Sequence, residues 1–289
     1  MTASLLPPTE NPGIYLAAGT DLSKAGGVIL GTPLDDTSSF RPGSRFAPSS
    51  VRTMSRVLEE YSLYRRKDLR DIAFYDAGDL ILPPGDAGSS LDTIAGAVTS
   101  LLKMGKKPFL IGGEHTITLG AVRGCLEQYS QLAVIFIDAH ADMRPSYQGV
   151  SISHASVAYL LLQLKGVNLY QFGIRSADRE ETALLRGEGS PPFSLLEPLA
   201  AALPHLKDAH LYITLDIDVV DPAFAPGVTA PEPGGVSSRE LLEIFNYLEP
   251  LKERVIAFDL VEICPPHDPS QVTALLGAKI LREALLSFL

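Results

Sequence analysis

The chain has 289 residues, 46% of them hydrophobic, and 34 acidic against 24 basic side chains give it a formal net charge of -10. That is apolar material enough for a sizeable α/β core, and the acidic field argues against nucleic acid or an anionic membrane as the main partner while favouring cationic ones. Cys125 and Cys264, the two cysteines, imply no disulfide framework and read as buried free thiols of a reducing compartment.

Residues 1–11 lack a basic segment followed by a long apolar stretch, and no run approaches the roughly 20 apolar residues of a membrane span. The address read by elimination is cytoplasmic. Short apolar, β-branched runs at 28–31 and 72–76 predict buried strands, and a Gly/Pro cluster at 83–88 predicts a loop before a helix over 91–104. A strand over 108–111 ends in the pair Gly112 and Gly113, which lets backbone approach a site closely, and a helix follows Thr116. Strands come next at 132–138, 167–173 and 211–215, then a loop at 222–235, a helix over 237–248, a strand at 255–259 and a helix over 273–286. Alternation of strand and helix predicts an α/β fold with a mostly parallel sheet covered on both faces. No repeat or charged linker divides the chain, so residues 1–289 read as one domain. In such sheets functional groups gather where the strands end at their carboxyl edge.

Four of the segments that follow these strands carry unusual polar residues. The strand from Leu132 runs directly into Asp138, His140 and Asp142, spaced by two, which continued strand geometry would point to one side. Two readings fit this triplet by itself: ligands for Mn²⁺ or Zn²⁺, which accept mixed carboxylate and imidazole donors, or a polar turn in which Asp caps a helix. A second strand ends in Asp216 and Asp218, two carboxylates on one face that repel each other unless a proton or a cation intervenes. Asp221, just before Pro222, reads as a turn or cap residue. His115, after the glycine pair, is by itself as well explained by a structural role, but it lies at the same sheet edge as the others. Together these are two His and four Asp, enough to hold two divalent ions with bridging carboxylates.

The segments Gly113 to His115, Asp138 to Asp142 and Asp216 to Asp218 resemble the three metal-binding signatures of the ureohydrolase family, which includes arginases and agmatinases. Phe40 to Phe46, Leu58 to Ser62, Gly173 to Ser176, Asp221 to Gly227 and Glu262 to Pro266 fit agmatinases better than arginases, so the resemblance runs nearly end to end. It implies a three-layer α/β/α arrangement, two Mn²⁺ per subunit and a homotrimer or homohexamer. It also implies that His115 and Asp142 hold one metal, His140 and Asp218 the other, and that Asp138 and Asp216 bridge them. His154 resembles the family's proton-shuttling histidine, and Glu262, a buried acid that would otherwise lack a partner, the carboxylate that receives the guanidinium. His205, His210 and His267 fall in no motif and read as structural or exposed.

The chemistry implied is attack on the guanidinium carbon by a hydroxide shared between two metals, with Asp142 accepting a hydrogen bond from the nucleophile and His154 delivering a proton to the leaving amine. The substrate is a small cationic guanidino compound. Met143 and Arg144 stand where arginases carry an Asn that helps read an amino-acid head, which favours agmatine over arginine and makes putrescine and urea the products. Ala230 replaces a hydroxyl residue usual in the family, and Arg144 would suit a carboxylate tail if it faced the pocket free. Aminopropylagmatine, guanidinobutyrate and arginine therefore remain alternative substrates. A one-zinc deacetylase and a non-catalytic metal-binding member of the family are the competing readings.

Overall fold

The computed structural model of the chain describes residues 6–185 and 194–289. Ten strands occur among them: β1 (Thr9–Glu10), β2 (Gly27–Thr32), β3 (Tyr61–Ser62), β4 (Lys67–Asp68), β5 (Phe74–Leu80), β6 (Lys107–Gly112), β7 (Leu132–Ile137), β8 (Val167–Phe172), β9 (Leu211–Asp216) and β10 (Val255–Val261). The α-helices are α1 (Ala47–Ser55), α2 (Ala87–Lys103), α3 (Ile117–Leu126), α4 (Val157–Gln163), α5 (Arg179–Thr182), α6 (Leu196–Leu206), α7 (Ser238–Leu248) and α8 (Val272–Phe288). Eight strands form one sheet in the order β1-β5-β2-β6-β10-β9-β7-β8, parallel throughout except for β1, and β3 pairs with β4 in a separate hairpin.

Alternation along the strands divides the core in two. In β7, Ala133, Ile135 and Ile137 join Ile213, Phe258 and residues of α6, α7 and α8 on one face. Leu132, Val134 and Phe136 join Val28, Leu110 and residues of α2, α3 and α4 on the other. This is the three-layer α/β/α arrangement. Burial on both faces is why the central strands read as continuous apolar runs. No helix among the described residues is long and apolar enough to cross a membrane. Both cysteines are free and buried.

One strand departs from its sequence reading. The strand expected over 72–76 runs Phe74–Leu80, and so continues past Asp76 through Gly78 and Asp79. These polar positions are matched from α1 by Arg52, itself 1% exposed, whose Nε and Nη2 donate to Asp76 at 2.8 and 2.9 Å, whose Nη1 donates to Asp79, and whose Nη2 also reaches the Gly78 carbonyl at 3.0 Å.

The order of the sheet positions the site. Although β6 and β7 are successive in the chain, β10 and β9 lie between them, and the carboxyl ends of all four meet at one edge. A crevice outside such a reversal of strand order is where ligands of parallel sheets bind.

Candidate metal centre

Each of those four strands delivers its polar residues within a few positions of its end. After β6 the chain passes through Gly113, where a Cβ would fall 1.9 Å from the Leu34 carbonyl oxygen, so only glycine lets the segment turn His115 inward. Asp138, His140 and Asp142 follow β7, Asp216 and Asp218 close β9, and Glu262 follows β10. The continued strand geometry expected for the triplet does not hold: β7 ends at Ile137 and Asp142 has φ 50°. The three side chains nevertheless line one cavity. Glu262, at φ 67°, is a second non-glycine residue in the left-handed region, a costly conformation that concentrates at functional sites.

His115 Nδ1 lies 2.9 Å from Asp138 Oδ2, 3.3 Å from Asp216 Oδ2 and 3.5 Å from Asp142 Oδ2. His140 Nδ1 lies 2.9 Å from Asp218 Oδ2 and 3.6 Å from Asp138 Oδ1. Donor atoms of His115, Asp138 and Asp142 fall within 4.8 Å of one another, and so do those of Asp138, His140 and Asp218, with Asp138 common to both groups. His115 Nδ1 and Asp138 Oδ2, although close, are not aligned for a hydrogen bond and have no other partner while buried. Two buried polar atoms left without a hydrogen-bond partner beside each other are what a cation site would satisfy.

The electrostatics are equally incomplete without positive charge. Burial, reinforced by Asp218 and Asp138, drives Asp216 well above the usual carboxylate range, and burial with Asp138 does the same to Asp142. Burial would raise Asp138 too, but the nearby His115 and His140 hold it below that range. Burial would lower both histidines, yet the carboxylates around them hold His115 and His140 above the ordinary imidazole value. Divalent cations in place of these shared protons would relieve the conflict, and the mixed carboxylate and imidazole set suits Mn²⁺ or Zn²⁺.

The cavity above this cluster has a volume of about 450 Å³. Glu262 forms part of its wall and, contrary to the expectation that it lacks a partner, is held by two donors: His115 N–H at 2.5 Å on Oε1 and the Thr229 hydroxyl on Oε2. Burial pushes its pKa up to about 8. His154, also on the wall, opens a short helical turn, with Ser39 Oγ 3.2 Å from Nε2, Thr37 Oγ1 3.5 Å from Nδ1 and the Tyr147 ring edge-on. Burial lowers its pKa. Arg144 also lines the cavity, but its guanidinium stacks over Tyr147 and lies 3.5 Å from both Asp178 and Glu181.

The eight sequence-predicted site residues are thus brought together, seven of them on the cavity wall and His115 directly beneath it. His205, His210 and His267 are exposed and away from the wall. Asp221 serves a turn, accepting from the N–H groups of Ala223, Gly234 and Gly235. Sequence reasoning missed Thr37, Asp178, Glu181 and Glu232. The pair Asp178 and Glu181 had a legible signal, the capping box that opens α5 shortly after β8. Thr37 had none, since its role depends on Glu114, which accepts both its N–H and its hydroxyl from 77 positions away.

Comparison with known proteins agrees with this geometry. A model of the arginase family matches residues 25–287. An agmatinase of Bacillus subtilis (strain 168) is 42% identical over 278 residues, covering 95% of this chain and 96% of the relative. The crystal structure of agmatine ureohydrolase of Thermoplasma volcanium superposes with a TM-score of 0.83 at 32% identity, covering 95% of this chain and 94% of that one. Proclavaminate amidinohydrolase from Streptomyces clavuligerus superposes with a TM-score of 0.85 at 31% identity, covering 95% and 96%. The chain belongs to the arginase family and is a hydrolase of that family.

Proposed function

We propose that this arginase-family chain is an agmatinase, a single-domain enzyme that holds two Mn²⁺ per subunit and hydrolyses agmatine to putrescine and urea. The observation that carries the choice of substrate is the charge of the cavity. Its wall, among the described residues, bears Asp138, Asp142, Asp216 and Asp218, whose charge two divalent cations would balance, and beyond them Asp178, Glu181, Glu232 and Glu262 against one guanidinium, that of Arg144. Arg144 is already paired with Asp178 and Glu181, so it offers no free positive charge to a carboxylate tail. This favours the cationic amine of agmatine over guanidinobutyrate, and the identity with the Bacillus subtilis agmatinase supports the same reading.

In this proposal His115 and Asp142 would serve one cation and His140 and Asp218 the other, with Asp138 and Asp216 contributing to both sites. When bound, the two cations supply a water acidic enough to attack at neutral pH and positive charge to balance the intermediate. Glu262 pairs with the planar guanidinium, and its own two donors, His115 N–H and Thr229 Oγ1, fix the plane of the carboxylate. Asp142 accepts a hydrogen bond from the attacking water. His154, kept neutral by burial, takes up the proton released and passes it to the amine nitrogen as the C–N bond breaks.

The test is urea release by Mn²⁺-loaded protein from agmatine, arginine, guanidinobutyrate and aminopropylagmatine. Agmatine should give the highest kcat/KM, and a higher value for any of the others reassigns the substrate. A cytoplasmic location and a homotrimer or homohexamer belong to the same proposal, and light scattering on the purified protein tests the assembly.

A further inference from the structure

His115 uses only one of its ring nitrogens towards the acidic cluster. The other, Nε2, lies 2.9 Å from the Thr214 hydroxyl, on β9 and directed into the protein. From there a chain of hydroxyls continues away from the cavity: Thr214 Oγ1 lies 3.1 Å from Thr118 Oγ1, on α3, and Thr118 Oγ1 donates to Asp259 Oδ2, on β10, at 2.8 Å. The Tyr212 hydroxyl donates to that same carboxylate oxygen. Thr118, Tyr212, Thr214 and Asp259 are all 0% exposed, so no water competes for these groups. None of the four lines the cavity.

A buried carboxylate has to justify its cost, and the cavity gives Asp259 no task. With two hydroxyls converging on it, Oδ2 is the acceptor in which the chain ends. Thr118 spends its proton on Asp259, so its oxygen is left to accept from Thr214. Thr214 spends its own proton on Thr118, so its oxygen is left to accept from His115. The ring must then carry a proton on Nε2, so Nδ1, which faces Asp138, Asp142 and Asp216, is the nitrogen left to offer its lone pair to a cation held among them. The ring plane is fixed independently by Phe136, stacked at 4.5 Å between centroids with 15° between planes.

We propose that Thr214, Thr118 and Asp259 are positioning residues that fix the tautomer of His115, with Asp259 setting the direction of every hydrogen bond in the relay. The proposal rests on the reading of His115 as a metal ligand. An imidazole ligand whose other nitrogen is held in this way binds its metal more tightly, and loss of such a partner typically lowers affinity by about 10- to 100-fold.

The experiment starts from the Mn²⁺-loaded protein, dialysed against buffers of graded free Mn²⁺, with bound manganese counted per chain and thermal melting followed on the same samples. Thr118→Val, nearly isosteric, cuts the relay in its middle. It should release one of two ions at about 10- to 100-fold higher free Mn²⁺ than the parent chain does. Thr118→Ser, which restores the hydroxyl, should hold both ions as the parent does. Asp259→Leu removes the terminal acceptor and should behave as Thr118→Val does, so it carries the test if Thr118→Val fails to fold. Unchanged affinity in Thr118→Val or Asp259→Leu overturns the relay, as does release by Thr118→Ser equal to that by Thr118→Val. Loss of fold in both disruptive variants makes the chain of hydroxyls a core element and overturns its positioning role. A parent chain that binds fewer than two ions instead overturns the metal-centre reading itself, a result distinct from the others.

Discussion

Replacing Glu262 by Gln tests the guanidinium pairing with little change in volume. The structure makes this substitution clean, because the side-chain amide can keep both contacts: its oxygen can accept from His115 N–H and its NH₂ can meet the Thr229 hydroxyl as an acceptor. What disappears is the negative charge, which a guanidinium and two cations beside it would favour over the protonated form that burial alone promotes. Breaking a buried, hydrogen-bonded charge pair costs roughly 2 to 5 kcal/mol. At about 1.4 kcal/mol per tenfold, the lower limit alone is a weakening of roughly 30-fold. The expected result is a KM for agmatine raised by at least that factor and a lower kcat, because the reacting carbon loses its alignment. Metal content, measured on the same preparation, should be unchanged. If Glu262→Gln hydrolyses agmatine and every other guanidino substrate as the parent does, Glu262 does not hold the guanidinium and the substrate sits elsewhere.

Asp138→Asn should abolish turnover, since Asp138 belongs to both donor groups, while the circular dichroism spectrum stays that of the parent. Near-normal activity would sink the two-cation mechanism. His154→Ala should lower kcat by on the order of 10²-fold with both metals retained, and loss of metal would make His154 a ligand instead. Arg52→Met leaves Asp76 and Asp79 buried without their partner and should destabilise the fold by about 3 to 5 kcal/mol. At about 2 to 4 °C per kcal/mol for a chain of this size, Tm should fall by roughly 10 °C, and a drop of only a degree would refute the structural role. Burial lowers the pKa of Lys107 to about 8, below its ordinary value near 10.5, so between those limits the unfolded chain binds the extra proton. Stability from this group therefore rises with pH from about 8 to 10.5. Measured against Lys107→Met, the parent should gain in Tm over that window, and an opposite trend would show that the ammonium is not disfavoured by folding.

The cluster of histidines and aspartates was legible in the sequence because each of its residues follows the strand that delivers it. Asp138, His140 and Asp142 touch β7, and Asp216 and Asp218 close β9, so a local pattern of apolar run and donor residue located them. The helix boundaries came close for the same reason: α7 begins after Ser237, whose hydroxyl caps it in a box with Glu240. What could not be read is whatever depends on a partner remote in the chain. The strand read over 72–76 stopped short of Gly78 and Asp79, and the carboxylates of β5 are matched by Arg52, 24 positions from Asp76 and 27 from Asp79. The direction of Arg144 was open because Asp178 and Glu181 belong to a different strand-to-helix connection.

That division bears on how specificity is encoded in this chain. The histidines and aspartates of the cluster converge on one space from the ends of neighbouring strands, and so appear as compact motifs. The rest of the cavity wall is assembled from separate loops: Ser39 and Phe40 after β2, Arg144 and Tyr147 after β7, Asp178 and Glu181 after β8, Glu232 after β9. Each loop can change without disturbing the sheet, since strand pairing and both core layers lie beneath them. A single substitution in one of them need not alter substrate choice either, because the charge presented to the substrate is a sum over several segments. Ala230 illustrates the point. It lacks the hydroxyl usual at its position, yet the neighbouring Thr229 places a hydroxyl on Glu262. The consequence of the departure is therefore set by which side chain reaches the carboxylate, a relation fixed by the fold of the loop and not by the residue type at one position.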